Sequence, residues 1–401
     1  MHEPAGYELA TSIPVTRRAT VPRLVTGRFR TLEEADTVIR AGDADLVGLM
    51  RAHIADPDIV KKTVAGHPER VRPCIACNQG CLAGIKGPAN RIGCTVNAGA
   101  GLELKLGDHL LKPVSKPRRV LIVGGGPAGM EAARVAATRG HKVTLLEAEP
   151  ALGGRIRMAS KAPTRATMGD ITQWLEQEVY RLGVDVRLST FVDPAEVLAM
   201  QHDEGFDDVI VATGSTPRMD GIQVSNPGEP IRGFRQPHVL SSWDLMLDDR
   251  RSLGRAALVI DETGHFEAVA VTEMLQVRGL SVTYITRHTG IAPQMEGALM
   301  VEPALQRIRA RGGFTFHPRT RAVSIDQGTA VIAPTYLKAE GGLLATVPAD
   351  IVVFISPNRS NRDIYDALRA QGAGVRIVGD ANSPRYLPTA ISEGHRAGAS
   401  V

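Results

Sequence analysis

The stretch that decides the fold is RVLIVGGGPAG, residues 119–129. Its first five residues are apolar enough for a buried strand, and Gly124-Gly125-Gly126-Pro127-Ala128-Gly129 is a G-x-G-x-x-G turn. A helical pattern follows from Met130 to Thr138 and stops at Gly140; a second strand, Lys142 to Leu146, ends in Glu147, 18 residues after Gly129. Glycines at these positions permit a tight turn and close approach of a diphosphate, and the helix N-terminus offers free N–H groups to it. The pattern predicts a doubly wound α/β domain that binds a dinucleotide through Gly124, Gly126, Ala128 and Gly129, with Glu147 accepting a ribose hydroxyl.

Later segments refine which nucleotide is expected. Leu152-Gly153-Gly154-Arg155 follows the second strand, and Gly154 and Arg155 are candidate contacts. A strand at 208–211 runs into Ala212-Thr213-Gly214, and one at 375–378 into Gly379-Asp380-Ala381, ahead of a helix at about 386–399. Thr213, Gly214 and Asp380 join the candidate site, with Asp380 placed to hold a ribityl chain; the alternative for Asp380 is a helix-cap or turn residue. Small residues at three strand ends fit an FAD-type domain better than an NAD-type one.

A second Rossmann-like pattern lies between these halves: strand 256–260, helix 266–277, strand 281–285. Its turn, Asp261-Glu262-Thr263-Gly264-His265, keeps one glycine where a dinucleotide site wants two or three. NAD(P)H binding there stays open beside a scaffold or docking role. Further helical patterns occur at 166–182 and 299–311.

All four cysteines fall within 21 positions, Cys74, Cys77, Cys81 and Cys94, spaced C-x2-C-x3-C-x12-C. Such clustering points to a metal site. Structural zinc favours two C-x2-C pairs, and the second is missing here. A compact run plus one distant cysteine suits a [4Fe–4S] cluster, with Gly80, Gly84 and Gly87 letting the loop pass close to it; zinc and free structural thiols are the alternatives.

Composition narrows the classes further. The chain has 401 residues, 43% of them apolar, enough for two to four domains with ordinary cores. Its 47 basic and 43 acidic residues give +4, and aromatics are 4%, so neither nucleic acid nor membrane is expected as a partner. Glycine, at 41, is in excess. No signal peptide is visible at the N-terminus and no apolar run nears a spanning length, so the sequence reads as cytoplasmic. Ahead of the cysteines, residues 22–26 suggest a strand, Thr31-Leu32-Glu33-Glu34 a capped helix to about Gly42, 45–49 a strand, and Asp56 to Val64 a helix opened by Pro57; residues 105–118 read as a linker.

Residues 16–401 resemble the C-terminal part of the iron–sulfur flavoprotein branch of the old yellow enzyme family, which includes trimethylamine and histamine dehydrogenases, 2,4-dienoyl-CoA reductase and N-demethylases. The stretches that carry the resemblance are TGRF (26–29), ADLVGLMR (44–51), IADP (54–57), RPCIACNQGC (72–81), CTVN (94–97) and VGDANSPR (378–385). The resemblance implies a [4Fe–4S] cluster on the four cysteines, beside an FMN site in a (β/α)8 barrel. It implies that Gly27, Arg28, Gly48 and Arg51 contact the FMN phosphate. The expected fold is therefore α/β: a partial barrel remnant (1–70), an iron–sulfur segment (71–104), an FAD- or ADP-binding domain (116–240 plus 346–401), and an inserted NAD(P)-like domain (241–345).

The departure is as informative. Only 73 residues precede Cys74, against about 250 for a whole barrel. The family's catalytic acid and substrate residues have no counterpart, and no catalytic residue is assigned. A second subunit is expected to supply the other barrel strands. The chain then reads as the electron-transferring part of a flavin oxidoreductase, passing electrons between FMN, cluster and FAD (or ADP). It is amine dehydrogenase- or demethylase-like with an external electron carrier; alternatively it is an NAD(P)H-dependent enoyl or enone reductase, or a non-catalytic cofactor-binding subunit or gene fragment.

Overall fold

A computed structural model of the chain describes residues 3–87, 90–248, 250–337 and 344–401. The chain divides into two compact units. The first takes in 1–157, 167–214 and 361–401; the second takes in 158–166 and 215–360.

In the first unit five parallel strands form a sheet in the order Val375–Ile377, Asp208–Val211, Arg119–Val123, Lys142–Leu146, Asp185–Arg187. The alternation of side chains along each strand divides them between two faces. Val120, Ile122, Val143, Leu145 and Ile210 pack with the helices Pro127–Thr138, Gly169–Arg181 and Leu387–Ala399. Leu121, Val123, Leu146, Val209 and Val211 pack with Pro194–Asp203 and Asp363–Ala370 on the other face. Both faces are covered, as a parallel sheet requires. Gly394 and Gly398 let the last helix lie directly on the first: a Cβ at Gly394 would stand 2.2 Å from the Ala128 carbonyl oxygen, and one at Gly398 2.5 Å from that of Ala132.

The N-terminal segments form a smaller layer of the same unit. Leu24–Val25 and Leu46–Val47 pair in parallel, and helix Leu32–Arg40 opens with the expected capping box of Thr31 and Glu34. Val25, Phe29, Ala35, Val38, Leu49 and Ile59 make its core. The other face of the pair is bare, with Leu24 61% and Leu46 54% exposed. The helix expected from Asp56 begins instead at Ile59, after a separate helix Met50–Ala55. Pro57 biases the residue before it towards extended backbone, and Asp56 sits at φ −142, ψ 102. Its carboxylate accepts the Asp58 and Arg72 amides and pairs with Lys62.

The second unit has its own five-stranded parallel sheet, ordered Phe314–His317, Ser281–Thr286, Ala256–Asp261, Ile351–Ile355, Val239–Ser241. A three-stranded antiparallel sheet follows, built from Thr320–Asp326, Gly328–Pro334 and Ala345–Ala349. The expected boundaries at 240/241 and 345/346 are therefore corrected to 214/215 and 360/361. The reason is pairing: Val239–Ser241 and Ile351–Ile355 are hydrogen-bonded into the second sheet. The segments 1–70 and 71–104, expected as separate domains, fall in one unit with the first sheet. No helix among the described residues is long and apolar enough to cross a membrane.

Candidate functional site

The glycines of the first turn differ in what surrounds them. At Gly124 (φ +113) a Cβ would lie 2.3 Å from the Ala212 carbonyl oxygen, and at Gly129 1.9 Å from that of Gly124. At Gly125 it would strike Leu152 at 2.4 Å and the Glu147 carboxylate at 2.9 Å. These three are glycines because protein fills the space. Gly126, the residue before the helix, has φ −74 and nothing within 4 Å of its Cβ position. It forms the open side of the turn, at the helix N-terminus, where an anion is favoured.

The segment Leu152 to Arg155 closes this turn from the other side. The Gly153 amide donates to the Gly125 carbonyl at 2.9 Å, and a Cβ at Gly154 would stand 3.1 Å from the Gly126 Cα. Arg155 is exposed beside it. Glu147 accepts the Gly125 amide on one oxygen and the Glu149 amide on the other, each at 2.8 Å. A carboxylate has about four acceptor positions, so capacity for a ribose hydroxyl remains. Ala128 is small because Gly379 and Gly394 pack against it, a role in helix packing that the sequence reading had not assigned. Thr213 donates to the Asn361 carbonyl at 2.6 Å, and Gly214 (φ +76) accepts the Asn361 amide. Asp380 sits in the short turn Gly379–Ala381 and accepts the Arg385 amide at 3.1 Å, so the turn-residue role is present.

The four cysteines ring one pocket, together with Arg51, Ile54, Ile75, Asn78, Gly80, Thr95 and Val96. Gly80 and Gly84 close this loop on itself. Their Cβ positions would fall 2.7 Å from the Cys94 Cα and 2.5 Å from the Arg91 carbonyl oxygen, so they bring 80–84 against 91–94 and the fourth cysteine to the first three. Backbone amides point at the sulfurs: Ala76 at Cys74 (3.4 Å), Gln79 at Cys77, Val96 and Asn97 at Cys94. The Thr95 hydroxyl stands 3.1 Å from the Cys77 sulfur. Burial pushes the thiols of Cys77 and Cys94 up to about 11 and about 12 and raises that of Cys74. Among the described residues no three His, Cys, Asp or Glu side chains are grouped as the ligands of a metal ion.

Next to this cavity lie the residues expected to hold a phosphate. Arg28 is left-handed (φ +62), its Nε is buried without a partner, and its pKa is lowered by burial and then by Arg30 and Arg51. Arg30 is paired with Asp170, which leaves Arg28 and Arg51 as the cations of this group without a carboxylate ion-pair partner among the described residues. Arg51 Nη1 donates to the Asn78 side chain at 2.7 Å, on the cysteine cavity. A Cβ at Gly27 would touch Gly6 and Phe29 at 3.2 and 3.3 Å, and one at Gly48 would stand 2.9 Å from the Thr26 methyl. Both glycines thus serve packing.

The turn of the second unit is filled by its own acid. Asp261, fully buried, accepts the Thr263 and Gly264 amides at 2.9 and 2.8 Å on one oxygen and the Tyr284 hydroxyl at 2.6 Å on the other. A Cβ at Gly264 would meet His288 at 2.7 Å and Pro293 at 3.1 Å. The Thr263 and Gly264 amides are thus taken, and His288 and Pro293 stand against Gly264, so this part of the turn is closed to a diphosphate. Burial lifts Glu262 to about 7, and burial followed by Arg165 depresses His265 to about 3.

The family model for pyridine nucleotide-disulphide oxidoreductases matches residues 118–382. The chain belongs to this family. A bilirubin reductase of Mediterraneibacter gnavus is 32% identical over 386 residues, 96% of this chain and 56% of that protein. The solved 6-hydroxypseudooxynicotine amine oxidase of Pseudomonas geniculata N1 superposes with TM-score 0.91 at 29% identity, over 99% of this chain and 59% of that one. Histamine dehydrogenase from Rhizobium sp. 4-9 superposes with TM-score 0.90 at 25% identity, over 100% and 58%. The chain thus spans little more than half the length of these relatives. Family and relatives are flavin-dependent oxidoreductases, which agrees with the parallel Rossmann-type sheets.

One feature of this family member escaped the sequence reading. Arg72, two residues before Cys74, lies 4.8 Å over the Trp174 ring and donates to Asp108 at 2.7 Å. Asp108 also accepts from Arg134, which pairs with Glu131 at 2.8 Å, and Glu131 meets His395 at 3.0 Å. Burial opposes the charge on Asp108 and Glu131, but Arg134, Arg72 and His395 together outweigh it and hold both carboxyls below their ordinary range, Glu131 at about 2. The chain of pairs ties the cysteine segment to helices Pro127–Thr138 and Leu387–Ala399. The available signal was the three-residue spacing of Glu131 and Arg134 inside an alanine-rich helix.

Proposed function

We propose that this chain is the electron-transferring part of an iron–sulfur flavin oxidoreductase of the old yellow enzyme branch. The observation that carries the proposal is the ring of four cysteine side chains around one pocket, in the same compact unit as an FAD-type turn. A [4Fe–4S] cluster is a body rather than a point and takes one thiolate at each corner, which suits sulfurs around a cavity. Cys74, Cys77, Cys81 and Cys94 would hold it, and a bound cluster supplies one-electron transfer. The amides at 76, 79, 96 and 97 would stabilise the thiolates, and Ile54, Ile75 and Val96 would keep water out.

Gly126 and the helix behind it would receive the diphosphate of FAD (or ADP), with Glu147 orienting the ribose. Arg28 and Arg51 would neutralise an FMN phosphate at the edge of the barrel remnant. The bare face of Leu24 and Leu46 leaves room for further barrel strands, which a second polypeptide would supply. The substrate would then be bound outside these 401 residues, and an external carrier would take the electrons.

The direction of flow is read from the second unit. Its turn, filled by Asp261, favours an amine dehydrogenase or demethylase over an NAD(P)H-dependent enoyl reductase. The test is anaerobic rapid mixing of the reconstituted protein with NADH and with NADPH. The flavin absorbance is expected to stay unbleached over seconds. Prompt bleaching would assign the reductase direction.

A further inference from the structure

We infer that the Thr95 hydroxyl donates a hydrogen bond to the Cys77 sulfur of the bound cluster and holds its reduction potential up. The inference rests on the cluster reading above and concerns how this chain tunes that site.

Thr95 is 2% exposed and Cys77 7%, and Oγ1 stands 3.1 Å from Sγ. With a thiol either atom can donate. A cluster-bound cysteine has lost its proton, so the direction is then fixed: Thr95 gives and sulfur accepts. Ile54, Ile75 and Val96 wall the same cavity, and in such apolar surroundings the bond is stronger than in water. Thr95 follows Cys94 directly, so the segment that supplies the fourth ligand also supplies a donor to the second. The amides aimed at Cys74, Cys77 and Cys94 act in the same sense, but they belong to the backbone. The hydroxyl is a side-chain donor and can be removed.

Reduction by one electron puts more negative charge on the cysteinyl sulfurs. A donor bonds the more negative sulfur better, and hydrogen bonds to the sulfurs are among the factors that set cluster potentials. Thr95 therefore favours the reduced form. Loss of the hydroxyl should shift the oxidised-to-reduced equilibrium on the order of tenfold, about 59 mV for a one-electron couple.

The test reconstitutes the full chain anaerobically, counts iron and sulfide, and follows the midpoint by EPR during a dithionite titration. Thr95→Val removes the donor at nearly constant shape, and Thr95→Ser keeps it. The expected result is full iron in both, a more negative midpoint in Thr95→Val, and a midpoint near the unsubstituted value in Thr95→Ser. A loaded Thr95→Val with an unchanged midpoint would overturn the inference and leave the cluster reading intact. If Thr95→Val fails to load, Thr95→Ala takes its place. Failure of both, with Thr95→Ser loaded, would make Thr95 a residue of cluster assembly and also overturn it. An unsubstituted chain that takes up no iron and sulfide would instead refute the reading beneath.

Discussion

Gly126→Ala separates the fold from the function of the nucleotide turn. A methyl at this position meets no atom within 4 Å, and φ −74 suits any residue. Two small effects on stability oppose each other. Lost freedom in the unfolded chain favours alanine by about 0.4–1 kcal/mol, and alanine is a poorer residue than glycine just before a helix, by roughly 0.5–1 kcal/mol. Urea unfolding of the ligand-free chain should therefore change by less than about 1 kcal/mol. The same methyl stands in the space left for the diphosphate. Pushing the phosphates off one amide forfeits a hydrogen bond to a charged group, about 1.5–3 kcal/mol, or roughly ten- to a hundredfold in Kd for FAD or ADP by calorimetry. Gly129→Ala is the contrast. Its Cβ would fall 1.9 Å from the Gly124 carbonyl oxygen, so overpacking should cost about 1–3 kcal/mol with no ligand present. Unchanged FAD and ADP affinity in Gly126→Ala would refute the placement of the nucleotide.

Three further outcomes follow from the charges. Arg134→Met leaves Glu131 and Asp108 without their main partner and should destabilise the chain by about 3–5 kcal/mol in urea unfolding; a loss under 1 kcal/mol would show that the buried pairs are not formed. In the second unit, Glu262 (about 7) keeps a proton on folding that it loses unfolded above 4.5, so its contribution falls as pH rises from 4.5 to 7. His265 (about 3) takes a proton only when unfolded below 6.5, so its contribution rises with pH from 3 to 6.5. The two cancel between 4.5 and 6.5. Glu262→Gln should expose the His265 slope, a gain of about 1.4 kcal/mol per pH unit relative to the unsubstituted chain, and identical pH profiles for the two chains would contradict the burial argument. Asp261→Ala frees the Thr263 and Gly264 amides and should raise affinity for ADP-ribose above that of the unsubstituted chain by equilibrium dialysis; tight binding already in the unsubstituted chain would show that the turn is open.

Local signals in the sequence were read well where they act through the backbone. The apolar run 119–123, the glycine turn and the Thr31–Glu34 capping box each lead to the element expected. The unit boundaries were not legible. Residues 239–241 and 351–355 are short strands whose sheet is chosen by partners more than 90 residues away, and no local pattern encodes that choice. The helix expected at Asp56 fails for a local reason that was visible, Pro57. At the site, glycine identity alone does not distinguish a residue that approaches a ligand from one that admits another strand or helix. Gly124, Gly125 and Gly129 are closed by protein, whereas Gly126 is open. The chain of pairs from Arg72 to His395 draws on residues 323 positions apart in sequence and shows only once the helices are packed.

The central claim is that the four thiols hold one iron–sulfur cluster, and it is tested most directly by metal and sulfide analysis of the chain after anaerobic reconstitution, with Mössbauer spectra of the ⁵⁷Fe-loaded protein. About four irons and four sulfides per chain are predicted, from one cluster ligated by Cys74, Cys77, Cys81 and Cys94. One zinc per chain, or thiols that stay free in the presence of iron and sulfide, would contradict the account.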